Sequence, residues 1–172
     1  LLAGLDIDYR VTALPEVDES YPDTLSGEEI PLYISQEKAA AYRRFMKDNT
    51  LLITADTIVW LDGKVYGKPR DIADAKTMLQ ALLGKTHTVI TGVTLTSLQK
   101  QISFAVSTEV TFAALGDDEI DYYVETYRPL DKAGAYGVQE WIGYIGVTGL
   151  KGSYYNVMGL PIQRLYTELK KF

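Results

Sequence analysis

The 172-residue chain has no cysteine, which excludes disulfides, thiolate nucleophiles and zinc–thiolate centres. Histidine is almost as scarce: His87 is the only one, and its place among alternating threonines reads as a strand residue rather than a catalytic base. No apolar run approaches the roughly 20 residues needed to span a bilayer, and no signal-peptide pattern opens the chain. Together these absences give the expectation of a cytoplasmic protein with no membrane partner. Cations are also in deficit, 17 Lys and Arg against 23 Asp and Glu, for a net charge of -6. A broad basic face of the kind that grips a phosphate backbone is therefore not expected, and neither is a nucleic-acid partner. Small anionic ligands are still compatible, because they need only a local cluster of cations. What the chain does have is apolar material, 47% of its residues, enough for the core of a single domain over residues 1–172, built as one compact body or as two closely joined lobes. It shows no internal repeat.

Within that apolar material one residue is out of place. Leu51-Leu52-Ile53-Thr54-Ala55-Asp56-Thr57-Ile58-Val59-Trp60 reads as a core strand with a carboxylate in its middle. Asp is poorly suited to strands and costly to desolvate, so its charge there points to chemistry or to a set of backbone N–H partners. Lysines surround it in sequence: Lys38 upstream, then Lys64 and the loop Gly67-Lys68-Pro69-Arg70. Carboxylates and lysines converging on one site suit a divalent cation and a polyphosphate.

Strand and helix patterns alternate along the chain. Ile7 to Ala13 suits a short strand with Ile7, Tyr9 and Val11 on one side. An acidic loop, Pro15 to Ser20, follows. Ile30 to Phe45 places Ile34, Lys38, Ala41 and Phe45 on one helical stripe, apolar except for a lysine that either snorkels to water or aims at a buried anion. Leu61-Asp62-Gly63-Lys64 is a tight-hairpin signal. Asp71 caps a helix with core face Ile72, Ala75, Met78, Leu79 and Leu82, closed by Gly84. Thr86 to Thr96 and Ile102 to Phe112 read as a hairpin, and Asp117-Asp118-Glu119 opens a helix through Thr126. Pro129 to Gln139 reads as loop, and a last helix starts near Gly159-Leu160-Pro161. The class expected is α/β, with a mixed, elongated sheet flanked by helices.

Several segments can be taken together in order: Val17-Asp18-Glu19, Lys38-Ala39, Ala55-Asp56-Thr57, Gly67-Lys68-Pro69, Gly84 to Val93, Asp131-Lys132-Ala133-Gly134-Ala135-Tyr136-Gly137-Val138-Gln139, and Gly152 to Pro161. In this order and spacing they resemble the Maf family of nucleoside triphosphate pyrophosphatases, whose fold is akin to that of the inosine-triphosphate pyrophosphatases. The resemblance implies hydrolysis between the α and β phosphates with a divalent cation, magnesium or manganese. It matches Asp56 to the family's proton acceptor and Glu19, Lys38 and Lys68 to its other polar active-site positions. Glu19 and Asp56 are the implied metal ligands, and either carboxylate suits either task. The Asp131–Gln139 loop resembles the branch acting on dTTP and UTP, with Gln139 and Thr57 at the two specificity positions; an amide such as Gln139 can both donate to and accept from a pyrimidine edge.

The resemblance further implies a house-cleaning role, a homodimer, and a phosphate-gripping loop of the form Ser-x-Ser-Pro-Arg-Arg. That loop is not in this sequence, and the expectation is a stretch of roughly a dozen or more residues carrying it before Leu1. Other readings stand beside this one. A nucleotide-binding regulator of septum formation and cell division would need no turnover, and an inosine-triphosphate type of specificity would differ only in the base. Residue by residue, Glu19 can be a solvated charge, Lys68 a surface lysine, and Asp131 and Lys132 a pair across a turn. The many tyrosines, Tyr122, Tyr123, Tyr154 and Tyr155 among them, read as packing or interface residues.

Overall fold

The first long helix, α1 (Glu29–Tyr42), turns a face of Ile30, Pro31, Ile34, Ser35 and Ala39 inward. It ends sooner than the apolar stripe suggests. Residues 43–45 form a short 3-10 turn, and Phe45 is 59% exposed with the Arg44 guanidinium 4.8 Å from its ring centroid. The inward face is offset from the predicted stripe because small and hydroxyl-bearing residues let the helix backbone approach the sheet closely. Gly92, on the sheet beneath, shows how closely: a Cβ there would stand 2.5 Å from the Leu32 nitrogen.

Strand β1 (Leu52–Leu61) hairpins into β2 (Lys64–Tyr66) through Asp62 and Gly63, whose φ angles of 51° and 78° match a two-residue turn. Helix α2 (Ile72–Leu82) starts where the Asp71 carboxylate accepts the Asp74 N–H at 2.8 Å and stops before Gly84 at φ 77°. Strands β3 (Thr86–Thr96) and β4 (Gln101–Phe112) follow as the predicted hairpin. Helix α3 (Asp117–Tyr127) has three acidic residues in its first turn, and Glu119 accepts the Gly116 N–H at 3.0 Å. Then come α4 (Trp141–Gly146), β5 (Val147–Lys151), α5 (Tyr154–Met158) and α6 (Ile162–Lys171), which Pro161 precedes.

This computed structural model describes residues 1–13 and 16–172; Pro15, the first residue of the expected acidic loop, lies outside the described residues. The strands form one open sheet in the order β2-β1-β3-β4-β5, flanked by helices, as the α/β reading expects. The pairing itself is antiparallel rather than mixed. A helix between strands signals a crossover joining parallel strands, and β2-α2-β3 is such a crossover. Its two strands are not neighbours, however, because β1 lies between them.

The chain forms two compact units: residues 1–57, 90–106 and 159–172 in the first, and 58–89 and 107–158 in the second. The first has its core around Val93, Leu95, Phe104 and Leu165. The second is larger, built on Val59, Leu79, Leu82, Phe112, Tyr123 and Ile142. There Lys76 ties α2 to α3 through Asp121 at 3.0 Å and Glu125 at 2.9 Å.

Ile7 to Ala13 is not a strand. Residues 2–5 form a 3-10 turn and 7–13 have no regular structure, with Ile7 40%, Tyr9 47% and Val11 84% exposed. Alternation makes a strand only where a neighbouring strand receives it, and among the described residues no strand of the sheet pairs with these. Among the described residues no helix is long and apolar enough to cross a membrane.

Candidate active site

Side chains alternate along a strand, so Thr54 and Asp56 share one face of β1 while Ala55 and Thr57 share the other. The Thr54 hydroxyl donates to the Ser35 carbonyl of α1 at 2.7 Å, and the Ser35 hydroxyl lies 2.7 Å from that of Thr94 on β3. These bonds fix the helix in register on the sheet. One turn beyond Ser35 comes Lys38, and two residues beyond Thr54 comes Asp56, so the register that joins the first pair delivers the second.

Lys38 Nζ donates to Asp56 Oδ1 at 3.3 Å and to the Ala55 carbonyl at 3.1 Å. It also lies 3.3 Å from Glu19 Oε1. Thus three of the sequence-predicted residues, Glu19, Lys38 and Asp56, do converge. Their side chains are graded in exposure, 11% for Asp56, 22% for Lys38 and 49% for Glu19, so the cluster runs from the sheet out to water. A nearly buried carboxylate that accepts a hydrogen bond from an ammonium is held in one orientation, as a proton acceptor must be. Thr57, by contrast, is not part of this cluster. It faces the other side of β1, where its hydroxyl meets Thr91 Oγ1 at 2.8 Å and donates to the Gly159 carbonyl at 3.3 Å.

Lys68 and Gln139 belong to the second unit, and both are exposed. Their loops are joined there, since the Gly134 N–H donates to the Gly67 carbonyl at 3.1 Å. In the same loop Asp131 pairs with its neighbour Lys132 at 3.2 Å, and this hydrogen bond, with the charge of Lys68 adding to it, holds the Asp131 carboxyl below the usual range. Tyr136 anchors the loop from beneath. It is buried, and its hydroxyl lies 2.6 Å from Nε2 of His87. The positioning hydroxyls of Ser35, Thr54 and Thr91, and the close approach at Gly92, were not singled out in the sequence; their only signal is small polar residues where a core is expected.

His87 is a structural residue on β3, 1% exposed. Burial lowers its pKa from the ordinary 6.5 to about 4, so the ring is neutral in the folded protein. On acidification the unfolded chain takes up this proton first. The contribution is therefore intact above about pH 6.5 and is lost progressively down to about pH 4, amounting to about 3 kcal/mol. Denaturant midpoints measured from pH 7 to pH 4 should fall more steeply for the native protein than for His87→Phe; parallel curves would contradict this account.

The whole chain, residues 1–172, matches the family described as Maf-like protein. It is 66% identical over 171 residues to a dTTP/UTP pyrophosphatase of Phocaeicola vulgatus, covering 99% of this chain and 89% of that protein. Similar proteins carrying the same name occur in Bacteroides thetaiotaomicron, 62% identical over 99% of this chain and 89% of that protein, and in Porphyromonas gingivalis (strain W83), 54% identical over 100% and 87%. With a match that runs the full length of the sequence, and relatives this similar, the chain belongs to the Maf-like protein family.

Proposed function

We propose that this protein is a nucleoside triphosphate pyrophosphatase that hydrolyses dTTP and UTP to the nucleoside monophosphate and pyrophosphate. The observation that carries the reading is the Lys38 ammonium held between the carboxylates of Glu19 and Asp56, 3.3 Å from each. The printed activity of the relatives supports the substrate.

In this reading Asp56 takes a proton from a water as the water's oxygen bonds to the α-phosphorus. The bridging oxygen between the α and β phosphates then leaves with pyrophosphate. Lys38 orients Asp56 and, with Lys68, offsets the charge that builds on the phosphates in the transition state.

The donors present fit a divalent cation, magnesium or manganese. They are hard carboxylate oxygens, and among the described residues no group of three or more His, Cys, Asp or Glu converges. Magnesium sites are commonly of this sparse kind, one or two carboxylates with substrate phosphates and water completing them. Glu19 and Asp56 would hold the ion. When bound, it supplies charge stabilisation to the triphosphate and lowers the pKa of a coordinated water.

Gln139 is the proposed reader of the pyrimidine edge. Gln139→Ala should lower kcat/KM for dTTP about tenfold while altering the ratio among dTTP, UTP and dCTP. An equal loss for every nucleotide would remove Gln139 from base recognition. The same proposal includes a single Maf-like domain over residues 1–172, a cytoplasmic location and a homodimer, for which exposed tyrosines such as Tyr144 and Tyr155 offer surface.

A further inference from the structure

Gln139 is exposed, yet the five residues before it, Gly134 to Val138, are all buried, so the chain brings this one side chain out of the core on a turn. The Glu140 N–H donates to the Gly137 carbonyl at 3.0 Å, which closes Gly137-Val138-Gln139-Glu140 with Gln139 at the third position. A single oxygen ties both ends of that turn. The Tyr123 hydroxyl of α3 accepts the Gly137 N–H at 3.0 Å and donates to Glu140 Oε1 at 2.7 Å. Tyr123 is fully buried, and burial first, then the bond to Glu140, pushes its pKa up, so it keeps the proton it donates. Gly137 is what lets the carboxylate come so close, since a Cβ there would stand 2.6 Å from Glu140 Oε1. Packing alone would be served by a phenylalanine at position 123. The hydroxyl is an added polar demand, and its bonds go to the two ends of the turn that carries Gln139.

We propose that Tyr123 and Glu140 are positioning residues for base selection, clamping the turn from Gly137 to Glu140 so that the Gln139 amide meets the pyrimidine edge in one orientation. This rests on the reading of Gln139 as the base reader. An amide tells bases apart only while its donor and acceptor ends keep fixed places, because rotation exchanges them. Loosening the turn therefore lowers discrimination through Gln139 and through no other residue.

Tyr123→Phe keeps the ring in the core and deletes the hydroxyl, Glu140→Ala removes the acceptor, and Glu140→Gln keeps one. Calorimetric titration with dTMP and dCMP, which needs no turnover, should show the preference for dTMP falling about fivefold in Tyr123→Phe and in Glu140→Ala, with Glu140→Gln near the native value. In a Gln139→Ala background, Tyr123→Phe should change the ratio no further, because the clamp acts only through that amide. Glu140 is only half-buried, so its variants carry the test where Tyr123→Phe does not fold. A native ratio in Glu140→Ala, or a further change when Tyr123→Phe is added to Gln139→Ala, overturns the proposal by making the pair a support of the fold alone. If Gln139→Ala by itself leaves the ratio native, the base-reader reading fails, and the clamp falls with it. The predicted ratios in a protein that releases no pyrophosphate would uphold the clamp and sink only the hydrolysis reading.

Discussion

Asp56→Asn should lower kcat for dTTP on the order of 1000-fold while leaving the thermal midpoint within a few degrees of the native value. The substitution is close to isosteric, so β1 and its bond from Thr54 to Ser35 are kept. What disappears is the negative charge 3.3 Å from Lys38 and, with it, the proton acceptor and a ligand for the cation. Lys38 retains Glu19 and the Ala55 carbonyl, so it is not left as an unpaired charge at the sheet surface. That retention is why the fold should survive. Turnover within about threefold of native in the folded variant would take Asp56 out of the chemistry.

The second large effect is on stability. Gly92→Ala places a methyl group against the backbone of α1, 2.5 Å from both the Leu32 nitrogen and the Pro31 oxygen, where no side-chain rotation relieves it. The helix must lift from the sheet, at a cost of about 3 kcal/mol or more, which for a chain of this size lowers the thermal midpoint by about 6–12 °C. Because α1 carries Lys38, the surviving folded molecules should also turn over more slowly. Gly4→Ala is the control, since a Cβ there meets nothing within 4 Å. A Gly92→Ala protein that melts with the native one would mean that α1 does not lie as close to β3 as described.

The contrast between these residues shows what a sequence carries in local form. The Asp62-Gly63 hairpin, the Asp71 cap and the Gly84 stop were legible because each is a short-range requirement of backbone geometry met by the residue in place. Asp56 was legible because a carboxylate inside a strand is conspicuous. The face of α1 was not, since it is sealed by Ser35, Thr94 and Gly92 rather than by large apolar residues, and the stripe ending in Phe45 pointed elsewhere. Nor was the fate of Ile7 to Ala13, whose alternation needs a partner strand to mean anything. The short elements α4, β5 and α5 give too few residues for a period to emerge.

The candidate site divides in the same way. That Glu19, Lys38 and Asp56 are chemically suited to one another is visible from their types, but their convergence depends on a helix-to-strand register set by the Thr54–Ser35 bond. The opposite orientation of Thr57 follows from strand alternation alone, and its partners, Thr91 and Gly159, come from segments 34 and 102 residues away. Motif order places Asp56 and Thr57 side by side; the packing of α1 and α6 on opposite faces of β1 gives them different neighbours.

In the proposed reaction the Glu19–Lys38–Asp56 cluster hydrolyses pyrimidine nucleoside triphosphates between the α and β phosphates. Its most direct test is pyrophosphate release from a panel of common and modified triphosphates, with magnesium or manganese and after chelation, for the native protein and Asp56→Asn together. The account predicts metal-dependent release from dTTP and UTP that is lost in the variant. Binding of these nucleotides without release of pyrophosphate from any of them would contradict it and would favour a nucleotide-binding regulator instead.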